Sequence, residues 1–220
     1  MQIAIPIFPG FTALDVIGPY QVFANLPGAD VVLCAAEPGI ITDDVGLVGL
    51  DVARALDDVG SPDVVVAPGG LVTRRMARDG DPVIDWIRRV HPETTFTTSV
   101  CTGTLLLTAA GLLRGDRATS HWIAYDALAD AGVEATDERV VRSGKIFTAA
   151  GVSAGIDLAL TVVGALAGAD VARAIQLGIE YDPRPPFDSG SPSTAPRHVH
   201  ALVTELLEAE QSEILDRTRS

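Results

Sequence analysis

The chain has 220 residues, 47% of them hydrophobic, 20% charged and 5% aromatic, which is the balance of a folded chain with an aliphatic interior rather than a disordered one. Its length suffices for one well-buried α/β core and is short for two, so a single domain over residues 1–220 is expected. A formal net charge of -13 works against nucleic acid and anionic membrane surfaces, because the phosphate term that dominates such binding would be repulsive. The expected partner is a small molecule. No run reaches the ~20 apolar residues that span a bilayer, and MQIAIPIF lacks the basic start and long apolar stretch of a secretory leader, which makes a cytoplasmic location the expectation.

Taken in order, Ile3 to Phe8 is a short apolar strand, followed by Pro9-Gly10-Phe11 and an amphipathic helix from about Leu14 to Leu26. VVLCAA (31–36) is a second buried strand, and 37–60, with scattered Gly and Asp, a small hairpin with a half-turn of helix. DVVVAPGG (63–70) is the clearest strand and ends in two glycines. A helix from Pro82 to Val90 precedes the strand TTFTTSV (94–100), which stops at Cys101; the pattern is helical again from Thr102 to Ala110, with Gly111 in the C-terminal capping position. VVRSGKIFTAA (140–150) is a hairpin around Ser143-Gly144, GVSAGIDLALTVVGALAG a long buried helix, and residues 170–172 open another. A Pro-rich loop, YDPRPPFDSGSPSTAP, leads to a last amphipathic helix at roughly 197–215. Alternating strands and helices with β-branched strand runs predict a mostly parallel sheet with helices on both faces. In such folds ligands sit beyond the carboxyl ends of the strands, so the loops at 9–15, 68–71, 101–102 and 150–153 are expected to converge there.

Cys101 stands where a strand meets a helix start, as in a strained elbow that presents a nucleophile above a sheet, and the helix dipole predicts a thiol pKa lowered toward the thiolate. On position alone the alternative is a buried structural thiol, which is the reading for Cys34 inside its strand. A reducing cytoplasm favours two free thiols over a disulfide. Pro68-Gly69-Gly70 and the N–H of Thr102 are placed to stabilise negative charge on a substrate atom, or else form a turn that only ends a strand. Asp15, one residue before an apolar run, is expected to be partly desolvated with a raised pKa, suited to proton transfer; otherwise it is an ordinary first-turn aspartate. His121 fits either a base paired with Cys101 or, more in keeping with its place before Trp122, a cap for the following helix. His91, His198 and His200 are read as surface residues, and no metal site is expected. No glycine pattern signals a nucleotide.

VAPGG (66–70), SVCTGTLLLTAAGLL (99–113), ATSHW (118–122) and TAAGVSAGIDLALTVV (148–163) together resemble the ThiJ/PfpI superfamily over most of the chain. FPGFTALDVIGPYQVF (8–23) narrows the resemblance to the branch containing isonitrile hydratases and the sensor halves of certain AraC-type regulators. The resemblance implies a flavodoxin-like three-layer sandwich, a homodimer, no cofactor, and Cys101 as nucleophile with Asp15 as acid. It gives Thr102 a supporting role for the bound intermediate and places Gly70, with Gly151, at the polar end of the substrate. PfpI-type proteases carry histidine directly after the cysteine, where this chain has Thr102, which argues against protease activity. A regulator would need a DNA-binding domain beyond residue 197, where only an acidic helix is expected. Hydration of an isonitrile to a formamide is thus the implied activity. A glyoxalase-like thiol enzyme and a ligand or redox sensor are the rivals; Phe11, Trp122 and Ile156 are candidate pocket walls, and Asp182, Arg184 and Asp188 candidate contributors from the Pro-rich loop.

Overall fold

The computed structural model describes residues 1–216. Strand β1 (Gln2–Pro6) leads to α1 (Ala13–Phe23) and β2 (Asp30–Ala35), followed by the hairpin β3 (Gly39–Thr42) and β4 (Gly49–Val52), the short β5 (Arg54–Ala55) and β6 (Val64–Ala67). Next come α2 (Thr73–Asp79), α3 (Pro82–Val90), β7 (Phe96–Val100) and α4 (Thr104–Ala109). The chain continues through β8 (Arg117–Ala118), α5 (Tyr125–Asp130), β9 (Glu134–Ala135), β10 (Val140–Ser143) and β11 (Ile146–Ala149), then α6 (Ala154–Ala167), α7 (Ala169–Gly178) and α8 (Arg197–Asp216).

Seven strands form one sheet in the order β10-β11-β7-β6-β1-β2-β5, and every neighbouring pair is parallel except β10 with β11. This is the expected α/β, flavodoxin-like arrangement. Strands β6, β7 and β11 are buried at every residue, because helices cover both sides and no face is left to alternate toward water. On one side α1 packs against α6 and α6 against α7; on the other, α2 and α3 pack against α4. Trp86 of α3 is sealed in the interior, and its indole N–H donates to the Val59 carbonyl at 2.8 Å, so the largest buried ring leaves no polar atom unpaired.

Because β1 lies between β2 and β6, the strand order reverses there, and a crevice opens at the carboxyl ends of β1 and β6. Local differences from the sequence reading have simple causes. Helix α2 is seven residues with only Thr73 and Met76 buried, too short to print a helical period in TRRMARD. The helix expected from Thr102 is a 3-10 turn over Cys101–Gly103 and becomes α-helical only at Thr104, since Cys101 itself has left-handed backbone. Among the described residues no helix is long and apolar enough to cross a membrane.

Candidate active site

Backbone hydrogen bonds tie the loop after β1 to that after β6 and the loop after β7 to that after β11, and the Gly70 N–H, donating to the Thr102 hydroxyl, joins the two pairs. The Thr12 N–H donates to the Gly69 carbonyl at 2.9 Å, and the Cys101 N–H to the Ala150 carbonyl at 2.9 Å, which brings the four expected segments to one place. At their meeting point Cys101 adopts φ +57°, a conformation that a non-glycine side chain holds only when its surroundings over-determine it. The brace is a set of buried hydroxyls. Ser120 donates to the Cys101 carbonyl at 2.8 Å; Thr104 donates to the Thr119 carbonyl at 2.9 Å and lies 2.9 Å from the Ser99 hydroxyl. Gly103 completes the elbow, because a Cβ there would lie 2.3 Å from the Ala67 carbonyl oxygen.

Asp15 of α1 is fully buried. Its Oδ2 accepts from the Gly69 N–H at 2.8 Å, while Oδ1 has no hydrogen-bond partner among the described residues. Burial raises its pKa from the ordinary 3.8 to about 7, opposed by the Gly69 N–H and the nearby Cys101 thiol and reinforced by the Asp44 carboxylate. The thiol of Cys101 moves the opposite way from the sequence expectation. Burial and the adjacent Asp15 push it well above its ordinary value of 9.0, and the Thr102 N–H aimed at the sulfur only partly opposes them. The helix behind it starts three residues later and is six residues long, so its dipole is too weak and too distant to hold a thiolate. The resting site is therefore a neutral thiol beside a carboxyl that exchanges its proton near neutrality.

Two other expectations need correction. Gly70 does not offer a free donor: its N–H donates to the Thr102 hydroxyl at 3.0 Å, and that hydroxyl donates back to the Gly70 carbonyl at 2.9 Å. Thr102 thus ties the glycine loop to the elbow. Gly151 lines a neighbouring groove instead of the space over the thiol. Gly69, named in the sequence only as part of the Pro68-Gly69-Gly70 turn, is the glycine that faces the acid: a Cβ there would come 2.7 Å from both Asp15 Oδ2 and the Thr102 nitrogen.

The thiol opens into a chamber of about 280 Å3 lined by Thr12, Asp44, Leu71, His121, Val152 and, from α8, Leu207 and Glu210, with Cys101, Thr102 and Gly70 at its floor. Asp44 is held at its rim by the Thr12 hydroxyl, which donates to Oδ2 at 2.8 Å. Asp44, Leu207 and Glu210 carry no local signal in the sequence; only the fold brings them here. His121 precedes the 3-10 turn Trp122–Ala124 and caps it, its Nδ1 accepting from the Ile123 N–H at 3.3 Å. Burial lowers its pKa, so the ring is neutral, and with Nδ1 accepting, the proton sits on Nε2.

Phe11 is buried core and Ile156 packs against Gly18 of α1, so neither walls the chamber; Trp122 lines the neighbouring groove. Asp182 and Arg184 pair with each other in solvent, and neither they nor Asp188 line either space. His198 is exposed, but His91 is half-buried on the Thr97 hydroxyl at 2.8 Å, and His200 stacks on Trp122. Cys34 is a buried, free thiol whose pKa burial pushes up to about 12, an inert core residue. Among the described residues no three His, Cys, Asp or Glu side chains gather to hold a metal ion.

Residues 1–165 match the DJ-1/PfpI family. The chain is 44% identical over 199 residues to an isonitrile hydratase of Pseudomonas putida, covering 90% of this chain and 86% of that protein. A deglycase, PfpI of Pyrococcus furiosus, is 30% identical over 136 residues, or 61% of this chain and 80% of that one. Among solved structures, a ThiJ/PfpI family protein from Pseudomonas syringae superposes with a TM-score of 0.90 at 38% identity, over 97% of this chain and 88% of that chain. Drosophila melanogaster DJ-1beta, at 22% identity and a TM-score of 0.74 over 81% of this chain and 97% of that chain, shares the fold.

Proposed function

Because the chain belongs to the DJ-1/PfpI family, with an isonitrile hydratase among its relatives, we propose that it hydrates an isonitrile to an N-substituted formamide through a covalent intermediate on Cys101. The observation that carries the reading is a buried Cys101 thiol beside a fully buried Asp15 carboxyl held by the Gly69 N–H, with burial raising the pKa of that carboxyl to about 7. A group that titrates near the working pH both accepts and returns a proton readily.

Asp15 takes the thiol proton as sulfur bonds to the terminal carbon of R–N≡C, then gives that proton to the same carbon, leaving the thioimidate R–N=CH–S. Water adds to this carbon; Asp15 removes one of its protons and delivers it to nitrogen. Collapse of R–NH–CH(OH)–S forms the C=O bond and breaks the C–S bond, the hydroxyl proton passing by way of Asp15 back to sulfur. One water is consumed and R–NH–CHO leaves, with no net change at Cys101 or Asp15. The substrate's reacting group is compact and uncharged, as a partly apolar chamber of about 280 Å3 requires.

The test is formamide formation from a simple isonitrile, followed by ultraviolet absorbance, with wild type, Cys101→Ala and Asp15→Asn. Turnover abolished by Cys101→Ala and strongly slowed by Asp15→Asn supports the reading. Turnover of methylglyoxal but not of any isonitrile by the folded protein overturns it in favour of the aldehyde-directed alternative.

A further inference from the structure

A second cavity adjoins the chamber, and no step of the proposed chemistry uses it. It measures about 760 Å3 against about 280 Å3 for the chamber, and His121 and Val152 line both, so the two spaces meet at one shared wall. The chamber alone is slightly smaller than the ~300 Å3 at which small-molecule sites begin, and the larger space lies directly beside it. Rings wall one side of the second space, while Asp126, Asp137 and Arg139 lie elsewhere on its lining. Trp122 stands between His121 and His200, with ring centroids 5.3 and 5.0 Å away, and Tyr125 joins them.

Residues 190–193 of the Pro-rich loop close the far side. The loop is tethered at its start, where the Tyr181 hydroxyl donates at 2.9 Å to the Asp157 oxygen that also accepts from Arg139 Nε at 2.7 Å. Further on, the Thr194 N–H donates to the Ser191 carbonyl at 3.1 Å, a turn within the segment that lines the groove. The loop is thus anchored to α6 at its start and carries a turn beside the groove. Gly151 serves the same geometry: a Cβ there would lie 3.0 Å from His121 Cδ2, so glycine lets the imidazole close down as part of the shared wall.

Resting on the isonitrile reading, we infer that this groove binds the substituent of the substrate, and that the substituent is an aryl or comparably bulky apolar group. The N≡C end sits over Cys101, and the remainder crosses the His121–Val152 wall to lie against Trp122. Flat apolar groups gain most from such a surface, through both area removed from water and ring-on-ring contact.

The experiment compares kcat/KM for benzyl isonitrile and methyl isonitrile in wild type, Trp122→Ala and Val152→Phe, and titrates wild type with N-benzylformamide while recording tryptophan emission. Trp86 is 1% exposed, so a ligand-dependent change reports on Trp122. The expected result is a wild-type preference for the benzyl compound that falls about tenfold in each variant, the scale on which apolar pockets discriminate substrates, together with an emission change on titration. The titration needs no variant to fold. Equal kcat/KM for the two isonitriles with silent emission overturns the inference and leaves the hydratase reading standing, as does a preference unmoved in both variants. No turnover of either isonitrile by folded wild type removes the hydratase reading and the inference together.

Discussion

Replacing Asp15 with asparagine isolates what it costs this fold to bury a titratable group. The amide is the same size and still offers an oxygen to the Gly69 N–H, so packing is preserved while ionisation is removed. In the wild type the carboxyl loses its proton near the ordinary 3.8 when unfolded and near about 7 when folded, with burial as the main cause. Between those two values the folded protein binds more protons than the unfolded chain, so stability falls as pH rises. The contribution is whole below the unfolded value, drains away up to the folded one, and is flat beyond. At about 1.4 kcal/mol per pH unit, the rise from 3.8 to about 7 amounts to about 4 kcal/mol. Cys101 adds nothing in this window, because its thiol stays neutral throughout. Urea denaturation followed by Trp86 fluorescence, at steps from about pH 4 to about pH 8, is expected to show Asp15→Asn gaining roughly that amount over wild type, most of it below pH 7. A difference that stays constant across the series refutes the raised carboxyl and, with it, the proton shuttle.

Three further outcomes follow from the same geometry. Alkylation of Cys101 by iodoacetamide, read by mass spectrometry, is expected to keep accelerating above the ordinary thiol value of 9.0; a plateau reached by neutral pH would put a thiolate back in the resting site. Gly69→Ala places a methyl 2.7 Å from Asp15 Oδ2 and the Thr102 nitrogen, and is expected to lower kcat/KM about 100-fold by displacing the acid from the thiol, while thermal unfolding shows that the protein still folds. Ser120→Ala removes the 2.8 Å donor to the buried Cys101 carbonyl, which Thr104 reaches only at 3.3 Å, and is expected to cost about 1–3 kcal/mol in denaturant unfolding; no loss would mean that the elbow is held by other contacts.

What the sequence revealed and what it hid divide by the range of the interaction. Strand β6 and the Cys101 elbow were legible because each is written in consecutive residues, Val64 to Gly70 and Ser99 to Gly103. The same holds for His121 as a cap, since its partner is Ile123, two residues away. The thiol was misjudged for the complementary reason. A helix start is a local feature, whereas the burial and the Asp15 carboxyl that outweigh it come from elements 86 positions apart in the chain, Asp15 and Cys101. Gly70 was singled out by the family resemblance, but which of two adjacent glycines faces the acid depends on how the β6 loop meets α1. Glu210 and Leu207 reach the chamber from the far end of the chain, on a helix whose own period says nothing about what it covers.

That last placement makes the two termini unequal for anyone handling the protein. Met1 precedes β1 at the amino end of that strand, where its ammonium donates to the Gly28 carbonyl, on the side away from Cys101. Helix α8 carries part of the chamber's roof. An affinity tag or fluorescent fusion ahead of Met1 starts far from the chemistry, while one joined after α8 is anchored to the helix that places Leu207 and Glu210 on the chamber. Kinetic comparisons among variants are therefore best made on amino-terminally tagged protein.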